Sequence, residues 1–342
     1  MKRISGITYL KAFLPLLVIA CHARPFGQSA SMILPLQGAP DWKDVFYSNI
    51  LALAVPLFYI ITFYLYLLKR DRVQGSTFRF LGKRVLFFLL LFVGWRIAYA
   101  IFGFGSLNLP DRGLARNLYH WLFGGGDSLL YYLEQAAYFL VVLELICFVC
   151  EKTKLSKKAI AMAGLVLSVL LIIICTWFVP ATVRIEALRF FSPIGFLPYV
   201  FIAILVKEHV FSYFLSISAI VFGVAYSVFE WLSLVDPLYL QNGYSSAIPS
   251  YPKISIVLLS IGIFGLMMKV SNTPSKFSDA LAAVSLYVYC IHYVIIVLLR
   301  RIFGDGLNGY EFITYMLVVF ITYFFSFGFY FAKRKVKRIM MK

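Results

Sequence analysis

Two ionisable side chains stand in the apolar run "YLKAFLPLLVIACHA", residues 9–23: Lys11 and His22. They are 11 positions apart. At about 100° per residue that is three helical turns plus about 20°, so both fall on one helix face, about 16 Å apart along the axis. An ionisable group in a membrane span is costly and usually faces a partner or a cavity. A stripe with an ammonium near one end and an imidazole near the other describes a polar path through a bundle. Snorkelling of Lys11 to headgroup phosphates, with His22 in the opposite headgroups, describes the same stripe, and at this point both readings stand.

A second imidazole, His292, lies in "SLYVYCIHYVIIVLLRR", residues 285–301. The chain has 4 His, and the other two, His120 and His209, lie in connectors and read as solvated or interfacial. An imidazole titrates near neutrality and can take a proton from a hydroxyl, so His22 reads as a general acid/base, with His292 at similar depth. No third ligand stands at a convincing spacing, and no metal is expected. Glu134 and Glu144 are 10 positions apart, which puts them on different flanks of one helix. Glu134 is the better partner for an imidazole or for sugar hydroxyls, and Glu144 reads as pairing with a neighbouring helix. Arg96 is a further charge inside an apolar run.

The elements that must position these groups follow from composition. The chain has 342 residues, of which 62% are hydrophobic and 14% charged. That is more apolar surface than a soluble chain of this length can hide, so lipid is the solvent. The 34 Phe and 23 Tyr then face lipid or mark its interfaces. A net charge of +17 would suggest nucleic acid in a soluble protein. Here the Lys and Arg fall between apolar runs, so the charge is a topology signal and no nucleic-acid partner is expected. The 5 Cys all lie in apolar stretches, which argues against a disulfide framework, and Cys147 and Cys150 read as packing. "MKR", an apolar run and "VIAC" resemble a lipoprotein leader, but Lys11 and Pro15 interrupt the run, so it reads as an uncleaved first helix.

Runs of about 20 apolar residues predict ten spans: 6–23, 45–68, 84–102, 129–150, 158–179, 193–207, 211–231, 253–270, 279–299 and 312–332. The sixth is short and carries Pro193 and Pro198, which predicts a broken or tilted helix. With the N-terminus inside, basic residues outnumber those on the outer side about two to one, which favours an even count with both termini cytoplasmic. The fold class is thus all-α and polytopic, a single domain over 1–342 ending in a basic tail, 333–342. Outer loops 24–44, 103–128 and 232–252 carry Trp42, His120, Trp121 and "FGGGD"; their aromatics read as interfacial belts, with a glycan platform as the other reading.

Three stretches together resemble the membrane acyltransferase-3 family, bacterial ten-helix O-acyltransferases of surface glycans. In "ITYLKAFLPLLVIACHA", Lys11 stands at the place of a family Arg and His22 at that of a family His, with the spacing kept. "VPLFYIITFYLYLLKR", residues 55–70, resembles the family's second helix and is followed by the basic "FRFLGKR". "SLYVYCIHYVII" resembles the late Ser…Tyr…His motif and places His292. Departures are Thr8 for Asp, Lys11 for Arg, Thr62–Phe63 for Ser-Gly, and Tyr131 nearest to an early Trp of the fourth helix.

The resemblance implies transfer of an acyl group, acetyl above all, from acyl-coenzyme A to a hydroxyl of a surface polysaccharide or lipid-linked glycan. It implies a multi-pass protein of the bacterial cytoplasmic membrane. It makes acetyl-CoA the donor substrate, attracted by Lys11, Lys83 and Arg84, and places the chemistry on His22, His292 and Glu134. Partners are then the bilayer, the donor, the glycan acceptor and polysaccharide-assembly proteins. A transporter or flippase, and a scaffold of polysaccharide assembly without chemistry, are the alternatives.

Overall fold

The computed structural model describes residues 4–28, 42–102, 129–179, 191–233, 251–307 and 309–340. His120, Trp121 and "FGGGD" lie outside the described residues. Ten long or apolar helices follow one another: α1 (Ser5–Ala23), α2 (Ala54–Arg70), α3 (Thr77–Ile101), α4 (Tyr131–Thr153), α5 (Lys157–Trp177), α6 (Pro193–Lys207), α7 (Tyr213–Ser233), α8 (Ile254–Met267), α9 (Lys276–Phe303) and α10 (Glu311–Met340). A short helical turn (Trp42–Val45), a wide π-turn (Phe46–Ile50) and a tight turn (Leu51–Leu53) lead into α2. Each of the ten expected spans is met by one helix. The basic run 333–340 continues α10 as helix.

Serine starts many of these helices. Ser76, Ser156, Ser192, Ser212 and Ser275 each accept a backbone N–H from the first turn of the helix that follows, which satisfies a donor the helix itself leaves open. Direction is fixed by tyrosines of α10. Tyr315 and Tyr323 donate to the carbonyls of Leu16 and Ala12, so α10 runs antiparallel to α1 and both chain ends lie on one side. That side, the basic face, also carries Lys69, Arg84, Lys157, Lys207 and Lys269. By the positive-inside rule it is the cytoplasmic one, and the opposite side is called the far face.

The helices divide by exposure. α3 turns Leu86, Leu90, Val93 and Ile97 outward, and α7 turns out Ile217, Val221, Val224, Val228 and Leu232. These steps of three and four residues make one continuous apolar stripe per helix, as a lipid-facing surface requires. α2 is instead enclosed on all sides: Leu57, Tyr59, Ile60, Phe63 and Leu67 are all buried. α6, with 15 residues, and α8, with 14, reach only about 22 Å, short of an apolar layer about 30 Å thick. Both are buried among other helices, and protein caps their N-termini: Ser192 for α6, and the carboxylate of Glu230 for α8. Short helices survive at this depth because their open ends meet protein acceptors rather than lipid.

Gly6 is where α1 passes closest to α8. A Cβ there would run into the backbone carbonyl of Met267, so only glycine fits. At the basic end, α2 is locked to α4 by charge. Buried Arg70 donates through Nε to Glu144 at 2.7 Å and forks onto Glu151 at 2.7 and 3.0 Å. Tyr66 donates to the same Glu144 oxygen at 2.7 Å. Glu144 thus pairs with a neighbouring helix, as its flank on α4 suggested. Removing the cation would strand a buried carboxylate, which costs far more than the pair gains. Arg70→Met is expected to lower stability by about 3–5 kcal/mol. Arg70→Met with Glu144→Gln should recover more than half of that. Chemical or thermal unfolding in detergent micelles measures both, and equal losses in the two variants would refute the charge lock.

Candidate functional site

α1 and α9 lie side by side along much of their length. Their contact brings together the two imidazoles that sequence placed in separate spans. The His22 and His292 ring centroids are 5.3 Å apart, with the planes tilted by 33°. His22 occupies the last turn of α1 and is half-buried. His292 lies inside α9 and is only 1% exposed.

The His292 ring is fixed by its own helix. Nδ1 lies 2.7 Å from the carbonyl of Tyr289, one turn back. A carbonyl can only accept, so Nδ1 carries the proton, and in the neutral ring Nε2 holds a lone pair. That Nε2 is buried and meets no hydrogen-bond partner among the described residues. A bare, oriented imidazole nitrogen beside a second imidazole is an arrangement that accepts protons.

Tyrosines hold the surrounding turn of α9. Tyr99 of α3 donates to the Cys290 carbonyl at 3.1 Å and stacks on Tyr293. Tyr293 meets the His22 ring edge-on at 5.9 Å. Tyr289 donates to the Leu129 carbonyl at 2.5 Å and packs edge-on against Tyr132. Tyr132 shares a 2.6 Å hydrogen bond with Thr62, the residue at the serine place of the second-helix motif. Tyr59 packs on Tyr132, and its buried hydroxyl has no hydrogen-bond partner among the described residues.

Glu134 belongs to this tyrosine layer. It is buried, accepts from Tyr138 at 3.3 Å and lies within electrostatic reach of Tyr59. Lys11 is half-buried three turns down α1, and the charge of Lys69, at the basic end of α2, reaches it. Lys69 in turn senses Arg84. Arg84 lies over the Phe80 ring at 5.1 Å, and Phe80 stacks on Tyr66. Lys11, Lys69 and Arg84 thus lie in electrostatic reach of one another in turn, toward the basic face. Lys83 is exposed beside it. Sequence reasoning counted Lys69 among the basic-side charges but did not single it out, because its nearness to Lys11 depends on how α1 meets α2. The same holds for Tyr132 and Tyr289: each looks like an ordinary aromatic until the helices are packed. Among the described residues no group of three or more His, Cys, Asp or Glu could hold a metal ion.

Comparison with curated proteins and with solved structures found no match. A family model does match. It is described as an acyltransferase domain and spans residues 4–335, which includes both histidines, Lys11 and the tyrosine layer between them. The match extends over nearly the whole chain, so the ten-helix bundle as a unit, and no smaller part of it, places this protein in the acyltransferase-3 family of membrane acyltransferases.

Proposed function

We propose that the protein transfers an acyl group, acetyl above all, from acyl-coenzyme A to a hydroxyl of a surface polysaccharide or lipid-linked glycan. The observation that carries this reading is the pair of imidazoles on α1 and α9, one with a bare buried nitrogen, set three turns from a cationic group on the basic face. A coenzyme A molecule carries several phosphate charges at one end and a thioester at the end of a long arm. The Lys11–Lys69–Arg84 group suits the phosphates, and the separation of about 16 Å between Lys11 and His22 along the helix suits the arm.

The residues then divide the work. His292 Nε2 accepts the N–H of His22, a contact within reach of a modest ring rotation at this centroid distance. That leaves the other His22 nitrogen with its lone pair toward the acceptor hydroxyl. The hydroxyl oxygen attacks the thioester carbon as its proton passes to His22. The carbon–sulfur bond breaks as the oxyanion collapses. The thiolate leaves and takes the proton back from the His22 imidazolium, so the enzyme returns unchanged. The Nδ1–Tyr289 bond favours His292 as the group that orients His22 rather than as a donor to the oxyanion. Glu134, among the tyrosines, is suited to hold acceptor hydroxyls. The cytoplasmic membrane of a bacterium is the setting in which donor and acceptor meet across such a bundle.

Two measurements test this. His22→Ala is expected to lower transfer by at least about a hundredfold, the usual scale of a lost general base. The readout is O-acylation of surface glycan, by mass spectrometry, in a deletion strain complemented with wild type or variant. Wild-type acylation by His22→Ala would overturn the reading, and absence of acylation by the wild type would favour a scaffold or transporter. Lys11→Met is expected to raise the donor KM about tenfold with kcat nearly intact, and Lys11→Arg to restore it. Radiolabelled acetyl-coenzyme A with isolated membranes measures both. An unchanged donor KM in Lys11→Met would separate Lys11 from the donor.

A further inference from the structure

A buried lysine stands on the far side of the bundle, outside every role assigned so far. Lys253 immediately precedes α8 and is 1% exposed. Its ammonium donates to the carbonyl of Ser48 at 2.6 Å and to the Asn49 side-chain oxygen. Both acceptors lie on the π-turn Phe46–Ile50 that leads into α2. The charge of Glu230 is within electrostatic reach, and the same carboxylate accepts the N–H groups of Ile254 and Ser255. Lysine is among the residues least often fully buried, and packing alone would be served as well by methionine. π-turns leave backbone carbonyls out of the regular helical ladder and recur at functional sites.

The π-turn carries Tyr47, and Tyr47 reaches the chain just beyond His22. Its hydroxyl donates to the Gly27 carbonyl at 2.9 Å and accepts the Phe26 N–H at 3.1 Å. Between them and His22 lies Arg24, with φ 52° in the left-handed region, its guanidinium over the Tyr47 ring at 5.7 Å. Tyr47 also packs with Ala20 and Leu51 in a small apolar cluster beside Cys21. A continuous set of contacts therefore runs from Lys253 through the π-turn and Tyr47 to the turn that ends α1 at His22.

We propose that Lys253 is a positioning residue for His22: by pinning the π-turn it holds Tyr47 as a clamp on residues 24–27 and so fixes the imidazole against His292. The catalytic part of this inference rests on the acyl-transfer reading above; the clamp itself does not. A ring misplaced by about 1 Å can lose a hundredfold in rate while substrate binding is untouched. The expected signature is thus a loss in kcat without a change in donor KM.

The test uses full-length protein in native membranes, with radiolabelled acetyl-coenzyme A as donor, and in parallel amide hydrogen exchange of segment 20–28. Tyr47→Phe removes one hydroxyl and keeps the ring. It should lower kcat about tenfold or more, leave donor KM in place and speed exchange of the Phe26 amide. Lys253→Met should do the same. Lys253→Met with Glu230→Gln removes both charges, so the effect can be read even where the single variant folds poorly. Combining Lys253→Met with Tyr47→Phe should add little to either alone, because both act through one clamp. Multiplying effects, an altered donor KM with kcat intact, or unchanged exchange at Phe26 would overturn the proposal. A wild type that exchanges as expected but transfers nothing would count against acyl transfer and leave the clamp standing.

Discussion

Lipid accepts no hydrogen bonds, and that constraint decides where every polar group of this bundle sits. Many of the buried polar residues gather in three clusters. At the basic end Arg70 joins Glu144 and Glu151. Where α1 ends, His22, His292 and the tyrosines around them hold one another and the backbone of α9. At the far face Lys253 ties the π-turn while Glu230 caps α8. The Arg70 and Lys253 clusters join neighbouring segments by strong, charge-assisted hydrogen bonds. The histidine cluster differs in kind: rings and neutral hydrogen bonds hold it, and Nε2 of His292 stays bare within it.

The division between enclosed and lipid-facing helices follows from the same constraint. α2 carries Thr62, Tyr66 and Arg70 along its second half, each bonded to a protein partner, so it is surrounded. α3, α5, α7 and α10 turn broad apolar surfaces outward and shield it. α6 and α8 are too short to span alone, and they sit where protein supplies the caps that lipid cannot. It is at the far end of α8 that the Lys253 cluster forms.

Much of this was legible in the sequence. Apolar runs bounded by polar connectors were enough to read ten helices, eight of them long enough to match the bilayer's thickness. The sixth was recognisable as short from its run, 193–207; of the break or tilt expected from Pro193 and Pro198 there is no break, because Pro193 sits at the helix start and Pro198 in the second turn of a continuous helix. α8 was expected over 253–270 and ends at Met267, since nothing local marks where an enclosed helix stops. Lys11 and His22 were legible as a stripe because a single helix has fixed periodicity. Lys253 was not, because its position at a connector gave it the look of a solvated loop charge. The hydrogen bond from Lys253 to Ser48 spans 205 residues of chain, and no spacing rule reaches that far. Contacts between helices that are distant in sequence were the illegible part throughout.

The departures from the family pattern can be weighed on the same physical grounds. Thr62 stands at a serine place and keeps a hydroxyl, now bonded to Tyr132. Phe63 stands at a glycine place, and it is fully buried, stacked on Tyr59 and edge-on to Phe139. Thr8, at the aspartate place, is buried on the α1 surface that also carries Lys11. With an aspartate replaced there, a lysine loses less than an arginine would, because the ammonium can turn its donors toward a new partner while a planar fork is built for a carboxylate. Thr8 and Lys11 therefore fit together as a coupled change at the basic end, one that leaves a rotatable cation on that surface. The imidazole pair lies three turns away and keeps its geometry. A buried nitrogen left bare gains nothing for packing and costs solvation. Kept beside a changed pair at positions 8 and 11, it fits a membrane acyltransferase better than a bundle whose polar groups serve packing alone.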